Sequence, residues 1–334
     1  MKSLYISALF FFIGLHQVQA QLLTPYTLYR DQWGVLNPAS VSNNYTLDEY
    51  TFALSATNRH QWLGNGFNYD YSPNTQLVNF EGILEFSRIV VGGHILQDRT
   101  GDLSNLGFYG RFAYMIPLDR FSKQMVSIGL AAGFLQNRSM IDGSDSEYFD
   151  SPEEGIIPGS VLKPDVSIGI YYYKEDIWYA GVSIPQLLSL DSEFGEDQIA
   201  YSLKQPRHYY VVGGGYIPFD FFGFGDGSSF LEISGWGRYL PVRQSKADSF
   251  AHLFRVDGNV RYQHSQIAWV GFGVGSDLAT DFSTFHAEFG FIGGEALNLS
   301  NAQLKIGLAM DFSFGEGVKR LGPSAEINVI YAWY

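Results

Sequence analysis

Residues 253–262 alternate between apolar and polar positions. Phe254, Val256, Val260 and Tyr262 fall on one face of an extended chain, and Arg255, Asp257, Asn259 and Arg261 on the other. Period two marks a strand lying between two different surroundings. A soluble sandwich also alternates, but it seldom sets such a polar face against so apolar a stripe. A membrane strand does, with lipid on one side and a polar lumen on the other. The pattern recurs. In 105–117, Leu106, Phe108, Phe112, Tyr114 and Ile116 share a face while Arg111 lies opposite. Phe285, Ala287, Phe289 and Phe291 oppose His286 and Glu288, and Leu304, Ile306, Leu308, Met310 and Phe312 oppose Lys305 and Asp311. Near the end, Ile327, Val329, Tyr331 and Trp333 oppose Glu326 and Asn328.

About fourteen strand-like segments are separated by Gly, Asn, Asp, Ser and Pro clusters. They lie near 49–57, 76–86, 88–97, 105–117, 124–136, 164–173, 176–184, 207–219, 229–239, 251–262, 266–275, 283–292, 302–313 and 325–333. Links after odd strands are long (58–75, 98–104, 137–163, 185–206, 240–250, 276–282, 314–324), and most of the others are tight. Long loops at one end and short turns at the other predict an all-β fold, a transmembrane antiparallel β-barrel. An even strand number places both chain ends on the short-turn side. Links at 220–228 and 293–301 are longer than this pattern wants, so the count carries a margin of two.

The inferred lumen face collects Glu81, Glu85, Arg111, Arg255, Asp257, Arg261, Glu288, Lys305, Asp311 and Glu326, both signs in near balance. A mixed set in a modest barrel predicts ion pairs and a plugged or constricted lumen.

Composition narrows the class further. Residues 1–20 read as a secretory signal: Lys2, an apolar stretch from Leu4 to Leu15, and Val18-Gln19-Ala20 before Gln21 as the cleavage site. The stretch is too short to span a bilayer, and no later window of about 18 apolar residues exists. Residues 21–48 are expected to form a periplasmic or plug segment and 49–334 the barrel. The chain has no Cys, which removes disulfides, thiolate metal sites and Cys nucleophiles together. Aromatic residues make up 16% and Gly numbers 37, against only 16% charged. A net charge of −13 argues against nucleic acid as a partner.

Candidate chemistry is thin. His60, His94, His208, His252, His264 and His286 show no metal-ligand spacing. A lumenal Ser-His hydrolase around His286 lacks a Gly-x-Ser-x-Gly elbow. The acidic loop 137–163 holds Asp142, Asp145, Glu147, Asp150, Glu153 and Glu154, but not at EF-hand spacing. Gly213-Gly214-Gly215 has no following Lys or helix and reads as a strand that bends or packs closely. No enzyme and no cofactor is expected.

Other stretches carry a family resemblance. Asn37-Pro38-Ala39 precedes Arg59-His60-Gln61-Trp62 with Gly64 and Gly66. Gly92-Gly93-His94-Ile95-Leu96-Gln97-Asp98-Arg99-Thr100-Gly101 is followed by Tyr109-Gly110 and Tyr114. Then come Pro164 to Tyr173, Tyr179 to Ile184, and Arg207-His208-Tyr209-Tyr210 with Gly215-Tyr216. In this order and spread over nearly all the chain, they resemble the PorP/SprF family of type IX secretion membrane proteins. Ser324-Ala325-Glu326 departs from the expected Ser-His-Glu, as does the longer stretch before Asn37.

The resemblance implies an outer-membrane barrel in the secretion and gliding machinery of Bacteroidota. Its partners would be other secretion components and an adhesin or other cargo with a C-terminal sorting domain, with the lipid bilayer around it. No catalytic residues come with the family. Arg59, Gln61 and Trp62 fall at the first hairpin, as partner contact, plug anchor or a packed turn. Asn37 and Pro38 would open a segment entering the barrel, and Arg207 and His208 complete the candidate set. The alternative function is a channel or transporter for small or apolar solutes.

Overall fold

In the computed structural model, residues 26–64, 72–139, 159–194, 201–203, 206–221, 223, 228–243, 250–278, 282–294, 297, 299–315 and 322–334 are described. The strands are β1 (Phe52–His60), β2 (Asn74–Leu84), β3 (Ile89–Thr100), β4 (Leu103–Pro117), β5 (Gln124–Ser139), β6 (Gly159–Lys174) and β7 (Trp178–Ile184). After them come β8 (Ser192–Phe194), β9 (Tyr201–Leu203), β10 (Tyr209–Pro218), β11 (Phe230–Arg243), β12 (Phe250–His264), β13 (Ala268–Asp277), β14 (Ser283–Gly293), β15 (Ala302–Phe314) and β16 (Ser324–Trp333). Fourteen of them close an antiparallel barrel in which each strand pairs with its chain neighbours. Strands β8 and β9 form a separate hairpin inside the β7–β10 link, and β1 pairs with β16 at the closing seam.

Alternation decides which way each side chain faces. In β12, Phe254, Val256 and Val260 are 44–45% exposed, whereas Arg255, Asn259 and Arg261 are at most 7% exposed. A charged face can be the buried one only if the barrel interior supplies partners, and an apolar face can be the open one only in lipid. No described helix is long and apolar enough to cross a membrane; the crossing is made by strands. Aromatic rings gather at both ends of the outer wall. Tyr209, Tyr239 and Phe254 lie side by side at one end, and Tyr172 with Trp178 and Phe52 with Trp333 at the other. These are the girdles expected at the two lipid–water boundaries.

Links at the turn end are 85–88, 118–123, 175–177, 219–229, 265–267 and 294–301. The two longer ones remain single connections, so the count stays at fourteen. The opposite end carries 61–73, 101–102, 140–158, 185–208, 244–249, 278–282 and 315–323. One expected long loop is absent: β3 and β4 run on to Thr100 and Leu103, leaving Gly101-Asp102 as a two-residue turn with Gly101 at φ +56°. Asp98, Arg99 and Thr100 hide this extension because a strand rising out of lipid is wet on both faces and loses its alternation. Glu85 is a second correction. It lies exposed in the turn Glu85–Ser87, beyond the end of β2.

Ahead of β1, residues 26–50 form no strand. They contain a 3-10 turn, Tyr29–Gln32, running into a helical turn, Trp33–Leu36, and a further turn at Asn43–Thr46. Leu28, Tyr29, Arg30, Gln32, Trp33, Asn37, Ala39, Ser40 and Val41 are all buried to 1% exposure or less. Their partners are inward-facing residues of strands all round the wall, so the segment lies inside the barrel. It also runs from one end of the barrel to the other. Tyr334 packs against Tyr50 at the turn end, but Thr27 meets Arg59, Asp311 and Glu326 near the loop end.

Candidate functional site: the lumenal segment and its two walls

The seam wall grips the segment by charge. Arg59 near the end of β1 pairs with Asp311 of β15 and, at 3.0 Å, with Glu326 of β16. Thr27 sits on this trio: its hydroxyl meets both Asp311 oxygens at 2.7 and 2.8 Å. Glu326 also accepts the backbone N–H groups of Thr27 at 2.8 Å and Leu28 at 3.1 Å. One turn on, Gln32 donates to Thr57 of β1 at 2.9 Å, and Asp31 accepts from Asn328 of β16 at 3.3 Å. Nearer the turn end, Lys305 of β15 pairs with Asp48 at 2.6 Å.

Arg30 joins the seam wall to the opposite side. Its guanidinium reaches Glu288 of β14, Glu232 of β11 at 3.4 Å and the Ser234 hydroxyl at 3.0 Å. Arg261 of β12 shares Glu288 at 2.9 Å and lies over the Trp269 ring. A cation and carboxylates this deeply buried persist only when each has such partners.

Facing the seam is an aromatic wall built from β6, β7, β10 and β11. Trp33 packs on Tyr179 at 5.9 Å between ring centres and Tyr29 on Trp236 at 6.4 Å. Behind them Tyr171, Tyr179 and Tyr216 form a continuous ladder. Tyr179 donates to Glu232 at 2.8 Å and Tyr216 to Asn43 at 3.0 Å.

Between the walls the backbone of the segment touches the strands directly. Asn37 donates through Nδ2 to the Ile170 and Val182 carbonyls at 3.1 and 3.3 Å and accepts from Ala39 N–H at 3.0 Å. Gly169 and Gly181 leave room for that amide, and a Cβ on Gly129 would collide with Pro38 and Ala39. Pro38 fixes φ beside this contact. Arg111 of β4 pairs with Glu81 of β2 and donates to the Pro38 and Ser40 carbonyls at 3.2 and 2.9 Å; Glu81 accepts Ser42 N–H at 3.0 Å.

The structure therefore brings Asn37, Pro38, Arg59, Arg111, Arg261, Glu288, Lys305, Asp311 and Glu326 onto one segment. Arg255 and Asp257 stand apart from these contacts. Arg255 donates to Thr284 at 3.2 Å and covers Phe282, and Asp257 lies 3.8 Å from His286, which in turn meets Asn259 at 3.0 Å. Gln61 and Trp62 sit at the loop-end rim, with backbone N–H groups bonded to the Pro73 carbonyl and the Ser324 hydroxyl; Trp62 is left-handed at φ +59°. Arg207 is exposed and donates to the Leu187 carbonyl at 3.0 Å. His208 is fully buried against Tyr210, and burial together with the nearby Arg238 charge pushes its imidazole down to about 3.

Arg30, Asp31, Trp33 and Glu232 were not among the predicted site residues. The signal for them was faint: Tyr29-Arg30-Asp31-Gln32-Trp33 mixes large aromatic and charged residues without a strand or helix period. The acidic cluster of loop 137–163, read as a solvated loop in preference to a calcium site, has all six of its carboxylates outside the described residues. Among the described residues no group of three His, Asp or Glu is placed to hold a metal.

A closed antiparallel barrel with an apolar outer face, aromatic girdles and a buried polar interior defines a membrane β-barrel. The family model for "Type IX secretion system membrane protein PorP/SprF" matches residues 18–331, and the chain belongs to that family. Among curated proteins no significant sequence match is found. Solved structures similar in fold include the "CymD monoaromatic hydrocarbon channel", with a TM-score of 0.51 and 11% identity over 91% of this chain and 92% of that one. The P. putida toluene transporter TodX is another, with a TM-score of 0.50 and 6% identity over 89% and 92% of the two chains. At such identities the likeness is one of fold.

Proposed function

We propose that this protein is an outer-membrane component of the type IX secretion and gliding machinery that works as a closed scaffold. It assists export or surface attachment of a partner with a C-terminal sorting domain, and it does so without catalysis. The observation that carries this reading is the segment 26–50 lying inside the barrel, held by charge at the seam and by aromatic packing opposite. Such a segment stops free passage through the lumen and leaves loops and rim as the binding surface. In the same reading, residues 1–20 are a signal removed near Ala20-Gln21, residues 21–48 are the plug, and Arg59, Gln61 and Trp62 couple plug to rim.

Deleting the protein is expected to leave its cargo unexported or shed from the surface, with uptake of small solutes unchanged. Normal surface display of every such cargo in the deletion strain would refute the reading. Planar-bilayer recordings separate it from a solute channel: the closed scaffold passes no steady current, whereas an open channel for small or apolar solutes does.

A further inference from the structure

Beside the seam the outer wall turns polar while still among lipid. On β1, β2 and β3 the outward positions line up in register as three rows. Ala56, Val78 and Ile95 make an apolar row, and Asn58, Gln76 and Gln97 a row of three amides. His60, Asn74 and Arg99 form a third row, nearest the loop end. Across the seam the amide row stops: Asn58 faces Ile327, and Ile327 faces Leu308. Ala56 is the smallest member of its row. Between it and the longer side chains of Val78, Ile95, Ile327 and Val329 lies a hollow of about 500 Å³, and the three amides form its loop-side rim.

The amide row lies within the lipid band. Phe52 marks the turn-end girdle, and Asn58 is six residues further along β1. That is about 20 Å of strand at roughly 3.3 Å per residue, or about 15 Å of height at a tilt of about 40°, below the top of an apolar band about 25 Å tall. The third row follows two residues later, at the upper edge. Amides facing hydrocarbon are costly unless something hydrogen-bonds them. Among the described residues the side chains of the row make one such bond, Gln76 donating to Asn74 at 3.2 Å. Each amide brings a carbonyl acceptor and an NH2 donor, so a partner must donate as well as accept. The ester carbonyls of a glycerophospholipid only accept, whereas amide and hydroxyl groups do both. Above the row Arg99 offers a cation, its Nε donating to the Gly101 carbonyl at 3.1 Å.

We propose that this face binds one lipid of the loop-side leaflet, an anionic glycolipid with amide-linked, hydroxyl-bearing acyl chains. An acyl chain lies in the hollow at Ala56, the amide and hydroxyl groups meet Asn58, Gln76 and Gln97, and the anionic headgroup reaches Arg99. The rows run from apolar to amide and then to the cation, the order of these parts along such a molecule. A hollow of this volume is in the range of small-molecule sites. The wall around it already faces lipid, which favours a single lipid over a protein partner. The proposal rests on the barrel spanning a membrane and not on its part in secretion.

Full-length protein extracted from its membrane in mild detergent is expected to carry one such lipid per chain in native mass spectrometry. Ala56→Phe fills the hollow from the lipid side, and the combined Asn58→Leu, Gln76→Leu and Gln97→Leu variant removes the rim. Each should lower the occupancy at least tenfold, while Val274→Phe, on the exposed outer face of β13, leaves it unchanged. Undiminished occupancy in both hollow variants overturns the proposal. Delipidated wild-type protein gives a test that needs no variant. Lipid A, with amide-linked hydroxyacyl chains on a phosphorylated sugar, should raise its melting temperature by mass action, and phosphatidylglycerol, anionic but ester-linked, should not. Equal shifts with the two lipids overturn the proposal. The chain has no Cys, so Val78→Cys reports a second copy seated in the same place. Disulfide-linked dimers formed in the membrane would show that a protein covers the hollow and overturn the assignment to lipid.

Discussion

The two walls of the lumen hold one segment by different physics. At the seam, Arg59, Asp311 and Glu326 meet Thr27 through short, directional contacts to named atoms. Opposite, Trp33 and Tyr29 lie on rings, and among the described residues the indole N–H groups of Trp33 and Trp236 make no hydrogen bond. Charge fixes register, because a shift of one residue leaves an ion buried and unpaired. Ring packing supplies area and tolerates small shifts. The segment is located by one wall and held down by the other.

That contrast is open to attack. Glu326→Ala leaves Arg59 with Asp311 alone and strips the acceptor from two buried backbone N–H groups, and breaking a buried pair costs up to about 3–5 kcal/mol. Thermal unfolding in detergent is expected to show it as the largest drop. Trp33→Ala removes an aromatic side chain from a packed site, at about 3 kcal/mol. If the walls differ as argued, it loosens the segment without unseating Thr27, so limited proteolysis should open the segment near residue 33 while Thr27 stays protected. Equal exposure of both positions would erase the distinction. Gly129→Ala drives a methyl into Pro38 and Ala39 and is expected to cost about 1–3 kcal/mol by overpacking, read as a lower melting temperature with the barrel closed. Tyr216→Phe loses only the hydrogen bond to Asn43, about 1 kcal/mol, and should leave protease resistance unchanged.

The outer half of this design was legible in the sequence. Strand β12 declared its two faces through Phe254, Val256 and Val260 against Arg255, Asn259 and Arg261, because lipid and lumen impose period two. The barrel and its fourteen strands followed from repeating that observation. Asn37, Arg59 and Glu326 were legible as residues but not as a set. Ion pairs between strands were expected and are present, as between Arg59 and Glu326 or Arg111 and Glu81, but the sequence did not reveal that Glu326 and Asp311 also hold Thr27 and that Arg111 reaches the Pro38 carbonyl. A segment of short turns has no period, so neither its path nor its direction could be read. Arg30 stayed hidden for the same reason: a lone Arg between Tyr29 and Asp31 gives no sign that Glu232 and Glu288, over 200 residues away, await it.

Glu326 has a consequence for assembly. A barrel closes last at the seam between its first and last strands, the one pairing that chain order does not favour. The carboxylate that must find its place there belongs to β16, and its receptors are Thr27, Leu28 and Arg59, all at the other extreme of the chain. Asn328 repeats the arrangement with Asp31 and Thr57. The earliest part of the chain thus works as a jig, setting the register in which the final strand can dock.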